Sequence, residues 1–242
     1  MLSFLFLSCL HSPIQPKSYV HQYHVQIDAR FQNMEDKSIY DQMTLELDLQ
    51  LSPDVRFKDD SVSYRLMVSD GKATKNGESL PFALREKWVE LRAFEFGELL
   101  SIMHMEEWVE ENPYIDAFDI LWFVFYPNPP NIEKKEKRMS LSRYPLQYAE
   151  SQKSRAVLQN TWELVGVDAQ VRLQYEGNID IRGTWQDLRL SSKGNQEGTV
   201  VVEKSGGIPS SHTGKLKRTL CYTKAQTLCQ KQEFEYKMER RQ

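Results

Sequence analysis

Alternation of apolar and polar residues, with a period of two, constrains this chain more than any other feature it has. Met43, Leu45, Leu47, Leu49 and Leu51 alternate with Thr44, Glu46, Asp48 and Gln50. On an extended backbone successive side chains point to opposite faces, so this segment offers one face to a core and one to water. The same pattern runs through Val25, Ile27, Ala29 and Phe31, through Val62, Tyr64, Leu66 and Val68, and through Val89, Leu91 and Ala93. After residue 131 it resumes at Met139 and Leu141, around residues 160–167, in Val171, Leu173 and Tyr175, and in Ile179, Ile181, Gly183 and Trp185. Val200 and Val202, then 216–221 and 234–238, complete the series. Turn residues punctuate it. Asp70-Gly71 and Gly206-Gly207 predict turns, Gly177-Asn178 predicts a tight hairpin turn or a bulge in one long strand, and 191–198 reads as a polar loop.

The middle of the chain has a different rhythm. From Glu98 to Asn131 the spacing suits helices, with Leu99, Ile102, Met103 and Val109 on one stripe. Asn112-Pro113 breaks it, and a second short helix over 115–125 gathers Ile115, Phe118, Leu121, Trp122 and Phe125. Tyr126-Pro127-Asn128-Pro129-Pro130 ends any helix, because proline lacks the amide donor and clashes with the preceding turn. This acidic, aromatic segment suits a lid or plug over a sheet. The expected architecture is therefore mainly β. Two consecutive curved antiparallel sheets of four to six strands each, half-barrel or open-barrel-like, flank a short helical insertion. The boundaries are 1–18 for a signal-like segment and tether, 19–97 for the first sheet, 98–131 for the insertion, and 132–242 for the second sheet with a C-terminal hairpin.

Residues 1–9 point to export. Met1 to Cys9 is an apolar run ending Phe6-Leu7-Ser8-Cys9, and a polar, proline-bearing stretch follows it. An apolar run, a small residue and a tether follow the logic of a secretory signal, although a basic n-region is missing. The last four residues match the pattern in which a cysteine becomes lipidated, with Phe6 where leucine is usual. If Cys9 carries lipid, Cys221 and Cys229 remain as a pair that an oxidising compartment would bridge. Aligning 221 with 229 sets Lys217 opposite Glu233, Lys215 opposite Glu235, Leu216 opposite Phe234 and Gly214 opposite Tyr236. Charged pairs then share the cysteine face and apolar residues share the other.

The lipobox-like start, the mid-chain Phe125-Tyr126-Pro127-Asn128-Pro129 stretch and the late Tyr175-Glu176-Gly177 strand resemble a group of uncharacterised secreted bacterial β-rich lipoproteins. The resemblance implies a place in the bacterial cell envelope, lipid-anchored, or a secreted or periplasmic one. It brings no activity.

Candidate chemistry is sparse. His21 and His24 lie three apart on a strand and diverge. Zinc needs four ligands, and Cys221 and Cys229 have no second pair beside them. His104 has no nucleophile assigned to it, and Glu106-Glu107 with Glu110-Glu111 reads as a solvated acidic face. No nucleophile-elbow, P-loop, zincin or dinucleotide motif is present, and no cofactor is expected. The net charge of −3 gives no global pull toward nucleic acid. The basic C-terminal region, Lys215 to Arg241, suggests either contact with phosphate head groups or an acidic partner, or a solvent-facing hairpin. Two functions fit these readings. One is a non-catalytic envelope protein that holds an apolar ligand, a lipid or acyl chain, in a curved sheet, with Trp108, Phe118, Leu121, Trp122 and Phe125 as ligand or lid residues. The other is an envelope scaffold with a filled core, bound to a partner protein.

Overall fold

The computed structural model describes residues 20–35, 39–94, 99–103, 121–125, 127, 129–130, 136–146, 152–185, 187–203 and 209–241. Twelve strands form one antiparallel sheet. The first half holds β1 (His21–Asn33), β2 (Ile39–Arg56), β3 (Ser61–Lys75), β4 (Glu78–Leu80), β5 (Trp88–Phe94) and β6 (Leu99–Met103). The second half holds β7 (Lys137–Leu146), β8 (Gln152–Val167), β9 (Gln170–Trp185), β10 (Leu188–Glu203), β11 (Ser211–Thr223) and β12 (Thr227–Arg241). A short helix, α1 (Leu121–Phe125), lies between β6 and β7 in sequence.

Each half is a meander, and the two join where β1 pairs with β12 along nearly its whole length. The order is β6-β5-β3-β2-β1-β12-β11-β10-β9-β8-β7, with β4 paired to β3 off this path. The two outer strands, β6 and β7, come back alongside each other, so the sheet is barrel-like and nearly closed. The expectation of two consecutive curved sheets thus resolves into two halves of a single one. Pairing of the first and last strands is a long-range contact that no local pattern announces.

Register carries the inner face around the molecule. One row runs Trp162, Tyr175, Gly198, Gly214, Tyr236, Ile27, Leu45 and Ala73, each opposite the next. The alternation read from the sequence is the alternation of burial. Val25, Ile27, Ala29 and Phe31 are buried on β1, as are Leu45, Leu47, Leu49 and Leu51 on β2. Fully burying such aliphatic side chains stabilises by about 1.5–3 kcal/mol each.

Several local expectations change. Leu99–Met103 is strand β6, paired with β5, and not the start of a helix. Five residues are too few for periodicity to separate a half-buried edge strand from a helical turn. Asp70-Gly71 is no turn. β3 runs through it with a register shift opposite Asp48 and Leu49, and the Phe82 ring lies so close to Gly71 that a Cβ there would sit 2.4 Å from it. The turn comes at Asn76-Gly77, both with positive φ (52° and 84°), as a tight hairpin requires. Gly177-Asn178 lies inside β9 without a turn or a register shift, and 191–198 is the middle of β10. Of the helix expected over 115–125, the described part is Leu121–Phe125.

Candidate functional site

The inner face of the sheet and the helix α1 that it encloses form the candidate site. All five residues of α1, Leu121, Trp122, Phe123, Val124 and Phe125, are buried. A helix normally keeps a polar face for water, and this one has none. It is held from three sides. Phe125 meets Tyr23 of β1 edge to face at 5.2 Å between centroids, and Phe123 meets Tyr144 of β7 at 4.8 Å. From β11, His212 Nδ1 lies 2.8 Å from the Val124 carbonyl oxygen.

That bond fixes the histidine. With Nδ1–H donating to Val124, Nε2 is the acceptor, and the Tyr175 hydroxyl stands 2.9 Å from it. The Tyr236 hydroxyl is 2.5 Å from that of Tyr175 and 3.4 Å from His212 Nε2. Complete burial pushes the His212 pKa down from 6.5 to about 4, which keeps the ring neutral. Burial pushes the Tyr175 and Tyr236 phenols up, so both stay protonated and can donate. The cluster closes against Trp162, whose ring lies 4.7 Å from that of Tyr175. The two tyrosines lie over glycines on the next strand. A Cβ on Gly198 would meet the Tyr175 ring at 2.8 Å, and one on Gly214 would meet the Tyr236 hydroxyl at 2.6 Å. A glycine that admits an aromatic ring flat on the sheet is a recognised barrel device.

Further along the same face the second half adds buried polar groups. Gln196 Nε2 donates to Asn160 Oδ1 at 2.6 Å, and Arg218 Nε donates to Gln232 Oε1 at 2.6 Å, all four side chains being buried. Arg218 also stands 5.3 Å over the Phe234 ring. These groups form hydrogen-bonded pairs along the wall. None of them brings a nucleophile to a base, and among the described residues no cluster of His, Cys, Asp and Glu is placed to hold a metal ion. His21 shares the inner side with Tyr23, while His24 faces outward and binds Asp48 at 2.8 Å.

Leu121, Trp122 and Phe125 therefore come together in α1, buried within the sheet. Trp108 and Phe118, expected to act with them, and Cys9, the expected lipidation site, lie outside the described residues. Cys221 and Cys229 are disulfide-bonded across β11 and β12. The hairpin has the register the sequence predicts, with Lys217 opposite Glu233, Lys215 opposite Glu235, Leu216 opposite Phe234 and Gly214 opposite Tyr236. Two lysines of this hairpin face acids of the same molecule, Lys215 2.9 Å from Glu235 and Lys217 3.4 Å from Glu233. The residues the sequence reading missed are His212, Arg218 and the hydroxyls of Tyr175 and Tyr236. Their signal was phase: His212, Gly214, Leu216 and Arg218 occupy alternate positions of one strand.

Among the described residues no helix is long and apolar enough to cross a membrane. No protein-family model matches the chain. No curated protein matches it either. Among solved structures it is similar to one described as lipid–protein interactions in lipovitellin, with a TM-score of 0.52 and 11% sequence identity. The similarity covers 94% of this chain, which spans 25% of that one, and at this identity it speaks for the shared fold alone.

Proposed function

We propose that this protein is a non-catalytic holder of an apolar ligand, an acyl chain or lipid, and that α1 occupies the lumen when the ligand is absent. The observation that carries the reading is the helix buried on every side within a nearly closed sheet. Ligand sites of this class are mostly apolar with a few placed polar groups. The aliphatic first half supplies the former, and His212, Tyr175 and Tyr236 supply the latter. The fold shared with lipovitellin, whose structure is described in terms of lipid–protein interactions, supports the same direction. A second reading is favoured by the ring contacts that fill the space around α1: a scaffold whose core is closed and whose partner is another protein.

The disulfide supports an oxidising compartment. With residues 1–9 it underlies the further proposal of a bacterial envelope protein, secreted or anchored through lipid on Cys9. The deciding experiment is titration of the purified chain with a fluorescent fatty acid, together with mass spectrometry of the protein from its native membrane fraction. Saturable binding, lost when unlabelled fatty acid competes, is expected. No saturable binding, no co-purified lipid and a stable co-purifying protein would leave the scaffold reading in its place.

A further inference from the structure

The outward face of β7–β10 carries a charge distribution that the lumen does not explain. Register sets Arg143, Val157, Asp180 and Lys193 in one row across four strands. The next row carries Arg155 and Arg182, and the row on the other side carries Leu141, Gln159, Asn178 and Asn195. An open depression of about 670 Å³ lies here, walled by Leu141, Arg155, Val157, Asp180, Arg182 and Lys193. Its one acid is already engaged, since Arg182 grips Asp180 through Nε at 3.0 Å and Nη2 at 2.9 Å. Arg143 and Arg155 have no ion-pair partner among the described residues, and Lys193, opposite Asp180, shares that one acid with Arg182 without an ion pair of its own. The C-terminal hairpin behaves in the opposite way. Its Lys215 and Lys217 pair with Glu235 and Glu233, and beyond them Lys224 pairs with Asp187 and Arg240 with Glu203. In a chain of net charge −3, cations therefore outnumber acids on this face.

Beside them stand exposed apolar groups. Met139 is 70% and Leu141 46% exposed, both pointing outward from β7, the strand at the seam of the sheet. We propose that this face docks on an anionic lipid bilayer. Cations near a membrane surface are drawn to lipid phosphates over about a Debye length, and apolar side chains between them enter the headgroup boundary. A single-stranded nucleic acid would call for aromatic rings to stack its bases, and the residues of these rows include none. The face flanks the β6–β7 seam, so docking would bring the lumen's edge to the lipid. The proposal does not require the lumen to bind acyl chains, which the soluble titration above reads separately.

The test is co-sedimentation of the full chain with vesicles of phosphatidylcholine alone and of phosphatidylcholine mixed with phosphatidylglycerol. Binding to the anionic vesicles only is expected, and salt of about 0.5 M should abolish it. R155E/K193E should weaken it by about tenfold or more, and Leu141→Ser less. Lys72→Glu, on the first half and away from this face, should leave it unchanged. If R155E/K193E does not fold by circular dichroism, R155Q/K193Q replaces it in the same assay. Equal binding to both vesicle types, undiminished binding by the charge variants, or tighter binding to an oligonucleotide or polyglutamate than to vesicles would overturn the proposal.

Discussion

Among the described residues the two halves of the sheet have the same number of strands, and both bury apolar side chains, but their interiors differ in polar content. Toward the lumen the first half presents Val25, Ile27, Leu45, Leu47, Leu49, Leu66 and Val68, without a buried amide or histidine among them. Into the same lumen the second half presents Asn160, Gln196, His212, Arg218 and Gln232, with glycines at 177, 194, 198 and 214 between them. The first half is held by area removed from water, which is non-directional and tolerant of small shifts. The second is held in addition by paired hydrogen bonds between buried side chains, where each partner is costly to leave unsatisfied. One wall thus tolerates small shifts while the other keeps a fixed geometry and holds α1 through His212.

If this contrast is right, a truncation in the aliphatic wall should cost the most. Leu47 is fully buried opposite Val25 and Gly71. Leu47→Ala is expected to destabilise by about 2–5 kcal/mol, the transfer loss plus the cavity left behind. Gln196→Ala, which strands the Asn160 amide, should cost about 1–3 kcal/mol. Urea denaturation of both variants checks the order, and a larger loss for Gln196→Ala would reverse the assignment of the two walls.

The same contrast decides what the sequence made legible. Strands of the first half announce themselves because leucine and valine alternate with charged residues, so burial and hydrophobicity coincide. On β10 the inward positions are Ser192, Gly194, Gln196 and Gly198, and a segment buried through such residues looks like a loop. A Cβ at Gly194 would lie 2.0 Å from the Lys217 carbonyl oxygen and 2.7 Å from the Arg218 Cβ, so the glycine serves close approach and not a turn. The C-terminal hairpin was legible down to its register, because a disulfide and two cross-strand charge pairs all point to one alignment. The tyrosine–histidine cluster was not. It joins residues from β9, β11, β12 and α1, and the register of four neighbouring strands, with Gly198 and Gly214 between the two tyrosines, brings them together.

Proton linkage falls mainly on the second half. His212 titrates near 6.5 in an unfolded chain and near 4 when buried. Between those values the unfolded chain binds the extra proton, so stability falls as pH drops from about 6.5 and the loss is complete below about 4. A shift of that size corresponds to about 3 kcal/mol. His21, half-buried near Arg240, is also lowered and adds loss in the same direction. His212→Gln should lose stability at neutral pH yet show a flatter profile between pH 6.5 and 4, measured by denaturation midpoints. A variant profile as steep as that of the wild type would assign the acid sensitivity elsewhere.

The smallest effect concerns the outer faces, and it limits the contrast to the lumen. Both halves wear similar cross-strand ion pairs toward solvent. Lys72 meets Glu46 at 2.9 Å on the first half, and Lys217 meets Glu233 at 3.4 Å on the second. The two lysine side chains are 69% and 58% exposed, so water and salt screen both pairs. Exposed pairs contribute about 0–1 kcal/mol, much of the Coulomb gain being offset by the entropy of ordering two long side chains. Lys72→Ala and Lys217→Ala should therefore each shift stability by less than about 1 kcal/mol, equally in the two halves, and the shift should shrink at high salt. Double-mutant cycles with Glu46→Ala and Glu233→Ala measure the pair energies directly. A markedly larger coupling on the second half would mean that its dependence on polar contacts extends through the sheet to the solvent side, and that the division lies between the halves themselves and not between their inner faces.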